Sequence, residues 1–235
     1  MRGYYSRSLS GERLRRCYEL APPRVVRYLE AEIEFVLARI ATSSLVLELG
    51  CGYGRVLERL APAARAVTGI DTSLESLRLA RTGLRHLSSC SIAVMNAVAL
   101  GFADQSFDLV ACIQNGISAF GVDRRQLLRE AIRVTRPNGR VLFSSYSAGF
   151  WEERLEWFRI QAAHGLIGEI DAEATKEGVI VCRDGFRAGT VGPGEFRELL
   201  SGCPAAPEIT EVDGSSLFCE LRAPASCEKT PERSS

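Results

Sequence analysis

The sequence predicts an α/β fold: a doubly wound, mostly parallel seven-stranded sheet closed by an antiparallel C-terminal hairpin, with N-terminal helices and an inserted cover. Three observations carry this reading. Between Leu45 and Tyr146, short apolar runs alternate five times with helical stretches, as in βαβ units with right-handed crossovers. After Tyr146 the alternation lapses, and Asp213-Gly214 then stands between two apolar runs as a hairpin turn. A chain of 235 residues, 46% hydrophobic and 25% charged, has the composition of one large globular domain or one domain with an added lobe.

The elements follow in order. Residues 9–20 predict a short helix, which Pro22-Pro23 breaks and restarts. Val25, Val26, Leu29, Ile33, Val36, Leu37 and Ile40 recur at spacings of three and four, the stripe of an amphipathic helix. Leu45 to Leu49 reads as a buried parallel strand ending at Gly50, and a helix from Arg55 to Ala61 is stopped by Pro62. Strands at Ala66–Ile70, Ser91–Met95 and Phe107–Ile113 alternate with helices at Leu74–Leu84 and Asp123–Thr135. Arg136-Pro137-Asn138-Gly139 predicts a turn, and Arg140–Tyr146 the fifth strand. Beyond it come an aromatic-rich helix at Phe150–His164, a hairpin around Arg183-Asp184-Gly185, a short helix at Gly194–Leu200, and strands at Glu208–Val212 and Ser216–Leu221.

Charge and cysteine usage exclude several classes. Of 29 basic residues only Lys176 and Lys229 are Lys, leaving 27 Arg, and the net charge of zero argues against broad binding to a polyanion. Residues 1–27 hold seven Arg against Glu12 and Glu19, which is either a solvated helix face or a basic cap over a site for an anionic substrate. No apolar run reaches the ~18–20 residues of a membrane span, and Met1–Arg16 lacks the apolar stretch of a secretory leader. The eight cysteines form no C-x-x-C pair and read as reduced thiols of a cytoplasmic protein, with no metal site expected.

The informative stretch is Val46-Leu47-Glu48-Leu49-Gly50-Cys51-Gly52-Tyr53-Gly54-Arg55, at the junction of strand and helix. Glycines there permit a sharp turn and close approach of a ligand to the backbone, and the helix start offers free N–H donors. A dinucleotide fingerprint would need a third glycine at position 55, which is Arg55. Glu48, two residues before the loop, would repel a pyrophosphate and suits a positively charged cofactor.

This E-x-G-x-G-x-G pattern resembles motif I of the class I S-adenosylmethionine-dependent methyltransferases, of the small-molecule type. Gly69-Ile70-Asp71-Thr72-Ser73 resembles the second motif, and Asp71 lies 21 residues after Gly50. Met95-Asn96-Ala97 sits where the family has an acid facing adenine; Asn96 departs from that pattern, though its carbonyl can accept the same hydrogen bond. Ser106 to Val110 resembles the fourth-strand motif, and Leu128 to Phe143 the following helix, P-x-G turn and fifth strand.

The resemblance implies a Rossmann-like, S-adenosylmethionine-binding core at 45–146, completed by 193–222, with a helical cap at 1–44, a substrate cover at 147–192 and a disordered tail at 223–235. It implies cofactor contacts from Glu48, Gly50, Cys51, Gly52, Gly54, Asp71, Thr72, Asn96, Ala97, Ile113 and Gln114, and S-adenosylhomocysteine as product. The glycines as a mere tight turn, Cys51 as small filler and Asp71 as a helix N-cap are the alternatives; Asp108 reads as structural.

Methyl transfer needs little covalent help, since near-attack geometry alone can supply roughly 7–11 kcal/mol. If a base is needed, the chain offers only His86, which reads as exposed, and His164, the catalytic candidate. Tyr5, Tyr18, Asn115, Tyr146, Trp151 and Arg187 are the acceptor-side candidates. No D/N-P-P-Y, no Pro-Cys after strand four and no acidic Mg²⁺ cluster appear, so a small-molecule O, N, S or C acceptor is expected as partner, without membrane or nucleic acid. The rivals are an RNA or protein methyltransferase, an NAD(P)-dependent oxidoreductase and a non-catalytic cofactor-binding protein. Oligomeric state is not legible.

Overall fold

The computed structural model describes residues 4–203 and 205–224. The expected strand-helix order is present: β1 (Leu45–Leu49), β2 (Ala66–Asp71), β3 (Cys90–Val94), β4 (Phe107–Cys112) and β5 (Thr135–Tyr146) pair in parallel. A two-stranded sheet, β6 (Ile180–Val181) with β7 (Arg187–Ala188), stands apart in the cover. β8 (Glu208–Val212) and β9 (Ser216–Arg222) form the hairpin, and β9 adds antiparallel to β5. The seven-stranded order is β3-β2-β1-β4-β5-β9-β8, and the reversal beside β1 opens a crevice at the strand ends.

Burial explains the layers. On one face of the sheet, Leu127, Leu128, Ala131 and Val134 of a helix at Arg124–Val134 cover Val110, Val141 and Phe143. On the other, Ile33 and Val36 of the helix Pro23–Leu37 join Leu57 and Leu60 of Arg55–Leu60, and Leu77 and Ala80 of Leu74–Gly83. A third cluster lies outside the sheet. Leu9, Cys17 and Tyr28 from the N-terminal region meet Phe150, Trp157, Phe158 and Phe186 from the cover segment. Cap and cover thus share one apolar core over the crevice.

Four details differ from expectation. Strand five starts at Thr135, because Asn138 at φ 62° lets the Pro-Asn-Gly segment bulge while its N–H donates to Ala223 O at 3.0 Å. The register shifts between Phe107 and Leu109 as a result. Ala223 is buried and donates back to Gly139 O at 2.9 Å, so the chain is tied to the sheet through 223, and the rest of the expected tail from 225 lies outside the described residues. Short helices at Tyr4–Arg7 and Gly116–Ala119 have no periodic signal at four residues. Among the described residues no helix is long and apolar enough to cross a membrane, and the seven described cysteines are free thiols.

Candidate functional site

The crevice holds a cavity of about 720 Å³ at the C-terminal ends of β1, β2 and β4, roofed by the helix Gly11–Glu19 and by Trp151–Ala163 of the cover. Its floor is the glycine loop. Gly50 N–H and Cys51 N–H both donate to Ile70 O, at 2.8 and 2.9 Å, turning the chain away from β2. Gly50 has φ 78° and a Cβ there would strike the Phe120 ring; Gly54, at φ 89°, starts the next helix, and a Cβ there would strike Leu84. Gly50 and Gly54 therefore answer steric demands of the turn.

Asp71 ends β2 at the cavity wall. One carboxylate oxygen accepts from Gly52 N–H at 2.9 Å and the other from Ser73 N–H at 2.7 Å. Burial raises its pKa while these bonds pull it down. The helix N-cap is Ser73, whose hydroxyl accepts from Ser76 N–H, so Asp71 does not have that role. Asp71 instead locks the glycine loop to β2 and retains lone pairs toward the cavity.

Glu48 is buried in the same wall, and its Oε2 has no hydrogen-bond partner. Burial pushes its pKa up to about 8, with Arg55 nearby lowering it and Asp71 raising it. Arg55 is the mirror case: its guanidinium lies 4.8 Å from the Tyr18 ring centroid and its buried Nη2 has no partner. Its Nη1 lies 3.9 Å from Glu30 Oε1, so an acid and a base line one cavity, each with one buried atom lacking a hydrogen-bond partner.

After β4 the backbone takes a strained course. Gln114 and Asn115 both adopt left-handed conformations, at φ 56° and 63°. Glu32, fully buried on the helix Pro23–Leu37, accepts from Gln114 N–H at 2.5 Å and from the hydroxyls of Ser144, at 2.8 Å, and Ser216. Burial lifts its pKa to about 7 against those three donors. Gln114 then presents a carboxamide whose buried Nε2 has no partner.

Of the residues singled out in the sequence, Glu48, Gly50, Cys51, Gly52, Asp71, Thr72, Asn96, Ala97, Ile113 and Gln114 line this cavity, and so do Tyr5, Tyr18 and Tyr146. Asn96 stands at its exposed edge, where Oδ1 already accepts from Val98 N–H at 3.2 Å. Gly54 lies one step behind, at the helix start. Asp108 accepts from Leu45 N–H at 2.8 Å and pairs with Arg136, a structural role.

Four candidates are not brought in. His164 caps the helix Trp151–Ala163, exposed, its ring nitrogen on Ile160 O at 2.9 Å; the helix ends one residue too soon for it to face inward. Asn115 turns its amide to Gly189 O and Ser145, bracing the loop from behind. Trp151 packs in the cap-cover cluster and Arg187 is exposed on β7.

Arg55, Trp157 and Gln161 line the cavity without having been singled out. The spacing Arg154, Trp157, Phe158, Gln161 is an i, i+3, i+4, i+7 face, a signal that was there to find. Among the described residues no group of three or more His, Cys, Asp or Glu could hold a metal ion.

A family model described as a methyltransferase domain matches residues 46–139. The chain is 33% identical over 115 residues to an arsenite methyltransferase of Aquipseudomonas alcaligenes, covering 44% of this chain and 33% of that protein. It is 39% identical over 103 residues to a malonyl-[acyl-carrier protein] O-methyltransferase of Erwinia billingiae, covering 44% and 39%. It therefore spans only about a third to two fifths of the length of these curated relatives. A solved structure of a SAM-dependent methyltransferase from Methanosarcina mazei superposes with a TM-score of 0.61 at 22% identity, over 82% of this chain and 98% of that one.

Proposed function

We propose that the chain is a class I S-adenosylmethionine-dependent methyltransferase that transfers the cofactor's methyl group to a small-molecule acceptor at an O, N, S or C atom. S-adenosylmethionine, when bound, supplies an electrophilic methyl on a sulfonium, open to in-line displacement. The observation that carries the reading is a pair of buried, partnerless atoms at the glycine loop. Glu48 Oε2 and Arg55 Nη2, both buried and without partners, match the ammonium and carboxylate of an amino-acid end.

The other contacts follow the cavity wall. Asp71 offers its remaining lone pairs to the ribose hydroxyls, and Asn96 and Ala97 flank the adenine. Gln114 faces the reacting centre. Residues 45–146 with 193–222 act as the cofactor half, and 1–44 with 147–192 as the acceptor-side roof. Positioning in this roofed cavity is what the chain contributes to the rate. The basic excess of the first 27 residues gives little support to a nucleic-acid or protein substrate. Arg15 and Arg16 pair with Glu12 and Glu19, Arg24 and Arg27 with Asp213, and Arg13 holds Gly165 O and Leu166 O.

Calorimetry with S-adenosylhomocysteine, NAD and NADP tests the cofactor. Saturable binding of the first alone is expected, and binding of NAD or NADP alone would reject the reading. Arg55→Met should weaken S-adenosylhomocysteine while leaving its decarboxylated analogue unaffected. Release of S-adenosylhomocysteine in an acceptor screen then identifies the substrate.

A further inference from the structure

One buried acid has no part in the function proposed so far. Glu48 and Asp71 line the cavity, whereas Glu32 stands behind its wall on the helix Pro23–Leu37, wholly shielded from solvent. Gln114 N–H at 2.5 Å and Ser144 Oγ at 2.8 Å donate to its Oε2, and Ser216 Oγ donates to its Oε1. All three donors are neutral, and each favours the ionised carboxylate. None of these partners is an arginine or a lysine.

Its other neighbours do not supply a paired cation. Tyr28 of the same helix and Tyr146 of β5 both feel its charge, and so does the Cys112 thiol of β4, which also feels Glu48. Arg154, buried in the cover, acts on the same two tyrosines with opposite sign, but its guanidinium is held by Gly178 O and Ala188 O at 2.9 and 2.6 Å. A buried carboxylate with hydrogen bonds but no paired cation is costly, and its negative potential falls on what lies next to it. Next to it is Gln114, whose N–H is on the carboxylate and whose side chain lines the cavity. Asn115 pins the same left-handed turn from the cover side, through Gly189 O and Ser145 Oγ, both at 3.0 Å. The fields of Glu32 and Glu48 therefore overlap at the end of β4, beside the part of the cavity that Gln114 lines.

Resting on the methyltransferase reading, we propose that Glu32 is a positioning residue that makes the cavity favour the sulfonium cofactor over its thioether product. Acting across the turn at Gln114, the carboxylate attracts the positive sulfur of S-adenosylmethionine and meets no such charge in S-adenosylhomocysteine. During transfer a lone pair of the acceptor forms the bond to the methyl carbon, the carbon–sulfur bond breaks, and its electron pair stays on the sulfur, which becomes neutral. The step that makes the product thus removes an attraction that held the reactant, and release is favoured. Burial brings the Glu32 pKa to about 7, so the preference fades as pH falls below 7 and the carboxyl is protonated. A cation bound nearby lowers that pKa and expels the proton.

Calorimetry with S-adenosylmethionine and S-adenosylhomocysteine, on the full chain and on Glu32→Gln at pH 6 and pH 8, tests this through the ratio of the two affinities. Glu48 and Arg55 meet the amino-acid end of both ligands, and a general distortion of the cavity affects both, so neither moves the ratio. Titration of the ligands themselves is common to the two proteins. From pH 6 to pH 8 the wild-type ratio should move toward S-adenosylmethionine by about three- to tenfold relative to Glu32→Gln. At pH 7, in two buffers of different ionisation enthalpy, the wild type should release more protons to S-adenosylmethionine than to S-adenosylhomocysteine; this count decides even if the variant does not fold. A ratio that follows pH identically in both proteins, or equal proton release with the two ligands, would overturn the proposal. Binding of neither ligand would overturn the methyltransferase reading itself, and this proposal with it.

Discussion

Glu48→Gln should make cofactor binding weaker and almost independent of pH. In the wild-type chain the carboxyl is buried with a pKa of about 8, so at pH 7 most of it is protonated. Pairing with an ammonium requires the carboxylate, and binding must therefore expel a proton. Well below pH 8 each further unit costs about 1.4 kcal/mol, a tenfold loss of affinity. From pH 8, where the carboxyl is half ionised, down to pH 6, S-adenosylhomocysteine should bind about fiftyfold more weakly to the wild type. Glutamine has no charge to titrate; its cost at pH 8 is the lost charged hydrogen bond, about 1.5–3 kcal/mol. Calorimetry at pH 7 in two buffers of different ionisation enthalpy measures the proton directly: close to one released by the wild type, none by the variant. Equal wild-type affinity at pH 6 and 8, with no buffer-dependent heat, would refute the pairing of Glu48 with a cation.

Further outcomes are expected from the same geometry. Asp71→Ala should weaken cofactor binding by about 1–3 kcal/mol, and unchanged affinity in a folded variant would remove its ribose role. Gly50→Ala should abolish cofactor binding and lower the thermal midpoint, since the methyl group meets both the Phe120 ring and a φ of 78°; a variant of normal stability and affinity would contradict this. His164→Gln should leave cofactor affinity and turnover unchanged, and a large fall in turnover alone would restore the histidine to the chemistry. The cofactor-free chain should lose stability as pH rises from about 4.5 toward 8, because Glu32 and Glu48 have folded pKa values raised to about 7 and 8 and bind protons more tightly when folded. Denaturant melts across that range check the slope, and a rise in stability would contradict it. Glu130, Asp184, Asp213 and Glu220, held below the usual carboxylate range, act with opposite sign at more acid pH.

What was legible in the sequence is what depends on neighbours along the chain. Leu45–Leu49 declared itself by an apolar run ending at glycine, and Asp71 by its place at the end of the next strand. The cofactor wall is local in the same sense, because motif and strand end coincide. The roof is not. Glu32 sits on a helix whose apolar stripe is plain, but its partners Gln114, Ser144 and Ser216 are 82 to 184 residues away, and no spacing announces them. His164 misled because a helical face was extended one residue past where the helix stops. Arg55 breaks the dinucleotide spacing in the sequence, while its place in one cavity with Glu48 appears only once the loop is folded.

The Glu32 contact also bears on how freely the parts of this chain can be exchanged. The N-terminal 44 residues look like a detachable lid on a standard core, yet one carboxylate from that lid satisfies donors on three separate segments of the core and holds the strained turn at Gln114. A core trimmed of those residues would lose the acceptor that one N–H and two hydroxyls share. Grafting a different lid would likewise require an acid at that one helical position. Modularity in this protein ends at Glu32.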